Sequence, residues 1–179
     1  MSTVMRPPAD RRLTLLVTVA HPDDESFGCG SVIAAAAEAG WRVVVCCASR
    51  GEAGEDASGL YAEPGLLGVA REAELHAAAS ALGVEVVEVL GFADSGWSGP
   101  APAHSLVEDL PTLVDEVSRM IQAHRPDVVV TMDPSGSDGH RDHAAATATM
   151  PRLVPRPRRR SSRPSTGLLA YTTGSCHAH

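Results

Sequence analysis

The sequence predicts an α/β fold: a doubly wound, mainly parallel sheet with helices on both faces. Three observations lead to this prediction. Short, apolar, β-branched runs alternate with helix-like segments along residues 13–150. The joins between them are mostly short, which places successive strands side by side. Each strand candidate is also followed by a loop rich in Asp, His, Arg or Gly, and in open parallel sheets such loops meet at the carboxyl edge.

In the first half of the chain, two strand candidates flank one helix candidate. Residues 13–19 form a short apolar run bounded by polar residues, which predicts a buried strand. A helix-like segment follows over residues 26–39 and ends at Gly40, and residues 41–48 predict a second strand. Residues 49–68 are rich in Gly and acidic residues and predict a long loop, and loops of that length often carry function.

The second half repeats the alternation, and its helices have clear stop signals. Gly83 ends one helical pattern, and Arg125 with Pro126 ends an amphipathic one whose apolar residues recur at helical spacing. The elements predicted here are a helix over residues 69–82, a strand over 85–90, a helix over 106–124, a strand over 127–131 and a helix over 142–150.

Composition divides the 179 residues into three parts. Residues 1–12 predict a flexible leader, and residues 13–150 predict one folded domain. In residues 151–179, four Pro interrupt an Arg- and Ser-rich stretch, which predicts a basic, disordered tail. Residues 1–150 hold nine Arg and all 22 acidic residues, whereas the tail holds six Arg and no acidic residue. The acidic body argues against nucleic acid as a partner.

The cysteines indicate a reducing compartment. The chain has four, Cys29, Cys46, Cys47 and Cys176, and no two of them form a C-x-x-C pair. Unpaired, buried thiols are the expected arrangement. No signal peptide is visible, and no apolar stretch is long enough to cross a membrane. We therefore expect a cytoplasmic protein without a membrane partner.

A dense polar cluster, His21-Pro22-Asp23-Asp24-Glu25, follows the first predicted strand directly. It puts one imidazole and three carboxylates at the carboxyl end of a strand, where open α/β sheets bind their ligands. Four ionisable side chains within five residues are costly to hold together without a cation. His and carboxylate suit zinc. The alternative is a solvated acidic turn, since Asp and Glu are favoured at helix starts.

A second cluster, Asp138-Gly139-His140-Arg141-Asp142-His143, precedes the last predicted helix. The three-residue spacing of His140 and His143 can put both imidazoles on one side of a turn. His143, His21 and one Asp would leave one coordination position open for water, as in catalytic zinc sites. Zinc lowers the pKa of such a water to about 7, and nearby carboxylate and imidazole groups can move protons. The alternative is a pair of solvated loop histidines.

Together, the two clusters resemble the LmbE-like (PIG-L) zinc-dependent N-acetylglucosaminyl deacetylases. The resemblance covers residues 13–148. Three further segments agree with it: residues 49–54 resemble the family's second loop, residues 71–74 its R-x-x-E helix and residues 91–96 its aspartate loop. The resemblance implies a Rossmann-like catalytic domain over residues 13–150. It also implies an enzyme that removes acetyl from an N-acetylated amino sugar, a small molecule, or from a related amide.

The resemblance implies metal and substrate contacts for five residues. His21, Asp24 and His143 would bind one Zn²⁺ ion per chain, with another divalent metal ion as the alternative. Arg71 and Asp94 would face the sugar or its substituent. Read without the resemblance, Arg71 could instead form a helix-surface ion pair with a neighbouring glutamate, and Asp94 could be a turn aspartate.

The resemblance also implies three catalytic roles. Asp23 would be the general base, and His140 would be the electrophilic or acid group, oriented by Asp142. The residue types alone agree with this but do not decide between Asp23 and Asp24 as base and ligand. Glu25 is expected to support the helix start.

Two alternatives to an active deacetylase remain. Members of the family continue with further strands and helices, so we expect a truncation or a change of reading frame after about residue 150, with impaired turnover. A nucleotide-binding module is the other alternative, because Gly28 and Gly30 follow a strand candidate, although Ile33 occupies the place of the third fingerprint glycine.

Overall fold

The computed structural model describes residues 11–61, 63, 65–136, 138–149 and 169–173. Its strands, in chain order, are β1 (Thr14–Val19), β2 (Arg42–Ser49), β3 (Val86–Phe92), β4 (Val128–Met132) and β5 (Leu169–Thr173). Its helices are α1 (Asp24–Glu38), α2 (Leu66–Leu82), α3 (Leu110–His124) and α4 (Arg141–Ala148). Within these described ranges, no helix combines the length and the hydropathy that crossing a lipid bilayer requires.

The strands form one parallel sheet in the order β3-β2-β1-β4-β5. The chain runs outward from β1 through β2 to β3 and then crosses back to place β4 on the other side of β1. The strand order therefore reverses between β1 and β4, and open α/β sheets bind ligands outside the carboxyl ends of strands at such a point. The predicted fold class is confirmed.

β1 is buried along its whole length and contributes to the packing on both faces of the sheet. Leu15 and Val17 pack in one cluster with Ile33 of α1 and Leu75 of α2. Leu16 packs in a second cluster with residues of α3 and α4. Burial on both faces explains why β1 is a mostly apolar run and does not alternate strictly with polar residues.

Two helix starts differ from the prediction for a physical reason. α1 begins at Asp24, two residues early, because the acidic residues of the first cluster form its first turn, where negative charge is favourable. α3 begins at Leu110 instead of residue 106, because Asp109 accepts a hydrogen bond from the backbone amide of Thr112 and caps the helix there. Leu106 lies before the helix and is fully buried.

β5 corrects the predicted tail. Residues 169–173 pair in parallel with β4, in a register that aligns Val128 with Leu169 and Met132 with Thr173. Disorder is therefore the wrong prediction for these five residues. Their own composition, with Tyr and Thr, favours a strand, whereas the Pro- and Arg-rich sequence before them favours disorder. The rest of the predicted tail, and residues 1–10 of the predicted leader, lie outside the described residues.

Candidate metal centre

The two polar clusters meet at one cavity of about 470 Å³. His21 follows β1, and His140 and His143 follow β4, so the loops that bring them together flank the reversal of the strand order. The cavity is also lined by Asp94, which follows β3, and by residues of the loop after β2. The predicted convergence at the carboxyl edge of the sheet is confirmed.

The side chains of His21, Asp24 and His143 form a compact group of donor atoms. His21 Nδ1 lies 3.3 Å from His143 Nε2 and 3.7 Å from Asp24 Oδ2, and His143 Nε2 lies 3.3 Å from Asp24 Oδ1. Ligands about 2.1 Å from a tetrahedral zinc ion are separated by about 3.4 Å, so these distances fit a shared metal ion. All three side chains are largely buried.

The other ring nitrogen of each of these histidines is already held. His143 Nδ1 lies 3.0 Å from the carbonyl oxygen of Gly136, and His21 Nε2 lies 3.1 Å from Asp142 Oδ2. Metal-ligating imidazoles almost always donate their second N–H to a carbonyl or a carboxylate, which fixes the tautomer and the ring orientation. The donor group and its surroundings therefore form a His/Asp metal-binding group.

Local hydrogen bonds build the turn that carries the first cluster. The backbone amide of His21 donates to Asp24 Oδ2 at 2.9 Å. Asp23 takes a positive φ of 100°, and its amide donates to Glu25 Oε2 at 3.0 Å. Glu25 is fully buried and is bonded to this turn and to Ser26, which is the supporting position expected for it.

Charges around His21 strongly favour its protonated form. Burial lowers the pKa of His21, but hydrogen bonds to Asp142 and Asp94 and the charge of Asp24 outweigh burial and raise this pKa to about 10. Burial raises the pKa of Asp24. The interactions of Asp24 with His143 and His21 lower this pKa by more, so the net shift is downward. A cation is therefore favoured between these groups, whether it is a proton or a metal ion.

Asp142 differs from its implied role. Its carboxylate accepts a hydrogen bond from the backbone amide of Ser95 at 2.8 Å and contacts His21 Nε2, so it orients His21 and not His140. The link to His140 comes from the backbone: the amide of Asp142 donates to His140 Nδ1 at 3.2 Å. The reason is the helix start, because His140 caps α4 and the fully buried carboxylate then turns inward.

His140 lies beside the trio of His21, Asp24 and His143, and one of its ring nitrogens lies within 4.8 Å of ring nitrogens of His21 and His143. Its ring centroid is 4.8 Å from that of His21 and 5.2 Å from that of His143. Since Nδ1 accepts the backbone hydrogen bond, the neutral ring carries its proton on Nε2. Burial, followed by the charge of His21, lowers the pKa of His140, which favours this neutral, hydrogen-bond-donating form.

Arg71 contacts the protein's own loops. Its guanidinium donates to the carbonyl oxygens of Gly51 and Pro22, both at 2.7 Å, and to Asp23 Oδ2 at 2.8 Å. A Cβ atom at Gly51 would lie 2.4 Å from Arg71 Nη1, so the glycine makes room for this contact. The alternative of a surface ion pair with a neighbouring glutamate is therefore wrong.

Asp94 is buried, and both of its carboxylate oxygens are engaged. Oδ1 accepts from the backbone amide of Gly96 at 2.8 Å, and Oδ2 accepts from that of Ala53 at 3.3 Å. Burial raises the pKa of Asp94, but a hydrogen bond to His21, the bond from Gly96 and nearby histidine charge hold it well below the usual range. Asp94 is thus a charged turn aspartate that also lines the cavity.

Trp97 is the residue of this site that the sequence reading missed. It lines the cavity, and its ring centroid lies 4.7 Å from that of His140. A usable signal existed, because the chain has only six aromatic residues and this one lies in a polar loop after a strand.

The nucleotide-binding alternative is not supported by the first helix. Gly28 and Gly30 lie inside α1, so the glycine-rich turn of a dinucleotide site is absent from this described segment.

Comparison with known proteins identifies the family. Residues 16–153, more than half of the chain, match the family described as PIG-L: GlcNAc-PI de-N-acetylase. The chain belongs to the PIG-L family. The resemblance inferred from the two motifs is therefore confirmed.

Curated relatives and solved structures are similar to most of this chain. A 1D-myo-inositol 2-acetamido-2-deoxy-alpha-D-glucopyranoside deacetylase of Rhodococcus erythropolis is 42% identical over 147 residues, covering 75% of this chain and 50% of the relative. The N,N'-diacetylchitobiose deacetylase of Pyrococcus horikoshii has a similar fold, with a TM-score of 0.63, 23% identity, and coverage of 76% of this chain and 47% of that one.

A hydratase has the same fold. GalB, the 4-carboxy-2-hydroxymuconate hydratase of Pseudomonas putida, matches with a TM-score of 0.59 and 29% identity, over 76% of this chain and 53% of its own. This PIG-L chain spans about half the length of the curated relatives it matches, between 46% and 53% for the first of them.

Proposed function

We propose that this protein is a metal-dependent N-deacetylase that removes the acetyl group from an N-acetylated amino sugar. One observation carries the proposal: His21, Asp24 and His143 put their donor atoms within 3.3–3.7 Å of one another, in a cavity that also contains Asp23 and His140. The deacetylase names of its relatives support the substrate class.

The donor set favours zinc. Two imidazoles and one carboxylate are typical ligands of a catalytic zinc ion, and no thiolate takes part. Such an ion, when bound, supplies Lewis acidity and makes water more acidic. Asp142 and Gly136 contribute indirectly, because they orient His21 and His143.

Asp23 is suited to be the general base. Burial and the neighbouring charge of Asp24 raise its pKa, and Arg71 opposes that shift while fixing the carboxylate at 2.8 Å. In this role Asp23 accepts a proton from the attacking water, whose oxygen forms the new bond to the acetyl carbon.

His140 is suited to assist the other side of the amide. Its Nε2–H can donate to the carbonyl oxygen as negative charge develops there. When the C–N bond breaks, the proton that Asp23 took from the water passes to the departing nitrogen. The products are acetate and the free amino sugar, so atoms balance with one water consumed.

The test is metal content and acetate release, measured together. The purified protein is expected to hold one zinc per chain and to release acetate from an N-acetylglucosaminide. His21→Ala and His143→Ala are expected to lose the metal and to lower turnover by at least about a hundredfold. The matched control is His76→Ala, a histidine exposed on α2. Metal binding without acetate release would favour the non-catalytic alternative.

Hydration of a carboxylated substrate is the second candidate, because GalB shares the fold at 29% identity. The charge of the cavity argues against it. Among the described residues, seven acidic side chains line the cavity and one arginine does: Asp23, Asp24, Glu55, Asp56, Glu74, Asp94, Asp138 and Arg71. A polyanionic substrate would be repelled there. Turnover of a carboxylated muconate without acetate release would reverse this choice.

We also infer that the protein works in a reducing compartment, the cytoplasm. Cys29, Cys46 and Cys47 are buried and unpaired. Burial raises the pKa of Cys29 and Cys46 to about 12, so both thiols stay protonated and unreactive at neutral pH.

A further inference from the structure

Trp97 is a large apolar side chain exposed at the rim of the cavity. Its exposed fraction is 65%, although it lies against His140 with the two rings nearly perpendicular, at 79°. The chain has only two Trp. An indole at the mouth of a polar cavity offers apolar surface that a ligand in that cavity can bury.

Hydrogen bonds fix the segment that leads into Trp97. The backbone amide of Ser95 donates to Asp142 Oδ2, and that of Gly96 donates to Asp94 Oδ1, both at 2.8 Å. Both acceptors also contact His21, so the backbone that carries the indole is fixed relative to the metal-binding group.

Arg141 fixes the segment from the other side. Its Nε donates to the carbonyl oxygen of Gly96 at 2.7 Å, and its Nη1 donates to that of Gly99 at 2.9 Å. The guanidinium thus bridges the residues on both sides of Trp97. The exposed position is therefore built into the loop, and such pre-organisation reduces the entropy cost of binding a ligand.

We propose that Trp97 is a platform on which the pyranose ring of the substrate stacks, a role that rests on the proposed deacetylase function. The C–H face of a sugar ring is apolar and buries the exposed indole surface. The acetamide group of that ring then lies toward His140, which the indole contacts. Trp97 thereby selects acetamides carried on a sugar ring over linear acetamides.

The first experiment compares two substrates in Trp97→Ala and Trp97→Phe. The ratio of kcat/KM for an N-acetylglucosaminide to that for a linear N-alkyl acetamide is expected to fall about tenfold in Trp97→Ala, mainly through KM. Trp97→Phe is expected to retain most of the ratio, because it keeps an aromatic face. An unchanged ratio in Trp97→Ala would overturn the proposal.

The second experiment measures binding without turnover. Trp41 precedes β2 at the amino end of the strand, away from the cavity, so Trp41→Phe leaves Trp97 as the only indole. N-acetylglucosamine is expected to change the emission of Trp97 and to protect it from acrylamide quenching. Trp41 in the Trp97→Phe variant should not respond.

The two experiments separate the platform from the proposed function. If acetate is released but N-acetylglucosamine does not change the emission of Trp97, the platform proposal is wrong and the deacetylase proposal stands. If the sugar protects Trp97 but no variant or wild-type protein releases acetate, the deacetylase proposal fails and the sugar contact stands.

Arg141→Met tests the support of the platform. Without sugar, acrylamide quenching of Trp97 is expected to change because the two carbonyl contacts are lost, and Arg141→Lys should restore part of the wild-type value. Wild-type quenching in Arg141→Met would show that the arginine does not hold the loop.

Discussion

His21 uses both nitrogens of its imidazole ring. Nδ1 faces His143 and Asp24, whereas Nε2 faces Asp142 and Asp94. In the metal-free protein, the surrounding carboxylates raise the pKa of His21 to about 10 despite its burial. A proton and a metal ion therefore compete for Nδ1, and metal affinity is expected to rise with pH because the proton is then easier to displace.

The metal-free protein should lose stability as the pH rises. The pKa of His21 is 6.5 in the unfolded chain and about 10 in the folded one, so its stabilising contribution is complete below pH 6.5 and is lost as the pH rises toward 10. Urea unfolding in the presence of EDTA, from pH 6.5 to about pH 7.5, measures this below the range in which the thiols of the unfolded chain titrate. His21→Asn should flatten the slope, and His76→Asn should not.

Arg71 is expected to act on catalysis through Asp23. In Arg71→Met, kcat should fall roughly tenfold or more, because the base is no longer held in position. Burial and Asp24 raise the pKa of Asp23 and Arg71 opposes them, so its loss should also move the acidic limb of the pH–rate profile to higher pH.

The control for Arg71 is Arg50→Met, since Arg50 pairs with Glu72 at the surface. If kcat falls in Arg71→Met but the acidic limb of the pH–rate profile does not move, the role of Arg71 is purely structural. In Arg71→Lys, the acidic limb of the pH–rate profile should lie between those of Arg71→Met and the wild type. Lysine restores the positive charge but not the several contacts that a guanidinium makes.

The motif residues could be predicted from sequence, but several of their partners could not. His21 and Asp24 are three residues apart and follow a strand, so their position at the sheet edge follows from local pattern. The contact of Asp142 with His21 joins residues 121 apart and depends on how α4 turns at His140. Side-chain direction across such distances is set by tertiary packing, which periodicity does not encode.

At the scale of the elements, the loop after β2 is shaped around Arg71. Gly51 has a φ of +64° and a Cβ there would lie 2.4 Å from Arg71 Nη1, whereas Gly59 has a φ of +66° and open space around it. A side chain placed at either position would therefore cause similar backbone strain. Only a side chain at Gly51 would also collide with Arg71.

This pair gives a matched prediction. Gly59→Ala should cost about 1 kcal/mol of unfolding free energy from the left-handed backbone alone. Gly51→Ala should cost more, and it should also lower kcat because Arg71 and Asp23 are displaced. Denaturant unfolding and acetate release measure the two effects, and equal effects for both variants would contradict the account of the loop.

The alternation of strands and helices was predictable, because β1, β2 and β4 are buried almost throughout and form mostly apolar runs. β5 was not, since five strand-forming residues are a weak signal beside a Pro- and Arg-rich stretch. The start of α3 was also missed, because apolar spacing continues before the Asp109 cap that begins the helix.

For the whole molecule, the reversal of strand order between β1 and β4 decides where the centre forms. Metal bound to the folded state alone should raise stability by about 4 kcal/mol at a free concentration a thousand times the Kd. Thermal melts with added zinc and with EDTA measure this. His143→Ala should show no zinc-dependent shift, and a shift equal to that of the wild type would mean that the ion binds elsewhere.

The separation of His21 and His143 in the chain has a consequence for folding. These two side chains meet at 3.3 Å across 122 positions of sequence. An ion held between them closes a ring through nearly the whole described domain, and the entropy that the unfolded chain loses on closure grows with the logarithm of ring length. Loading the centre thus works as a reversible cross-link, which joins the first strand to the last described helix in the same event that prepares the site for chemistry.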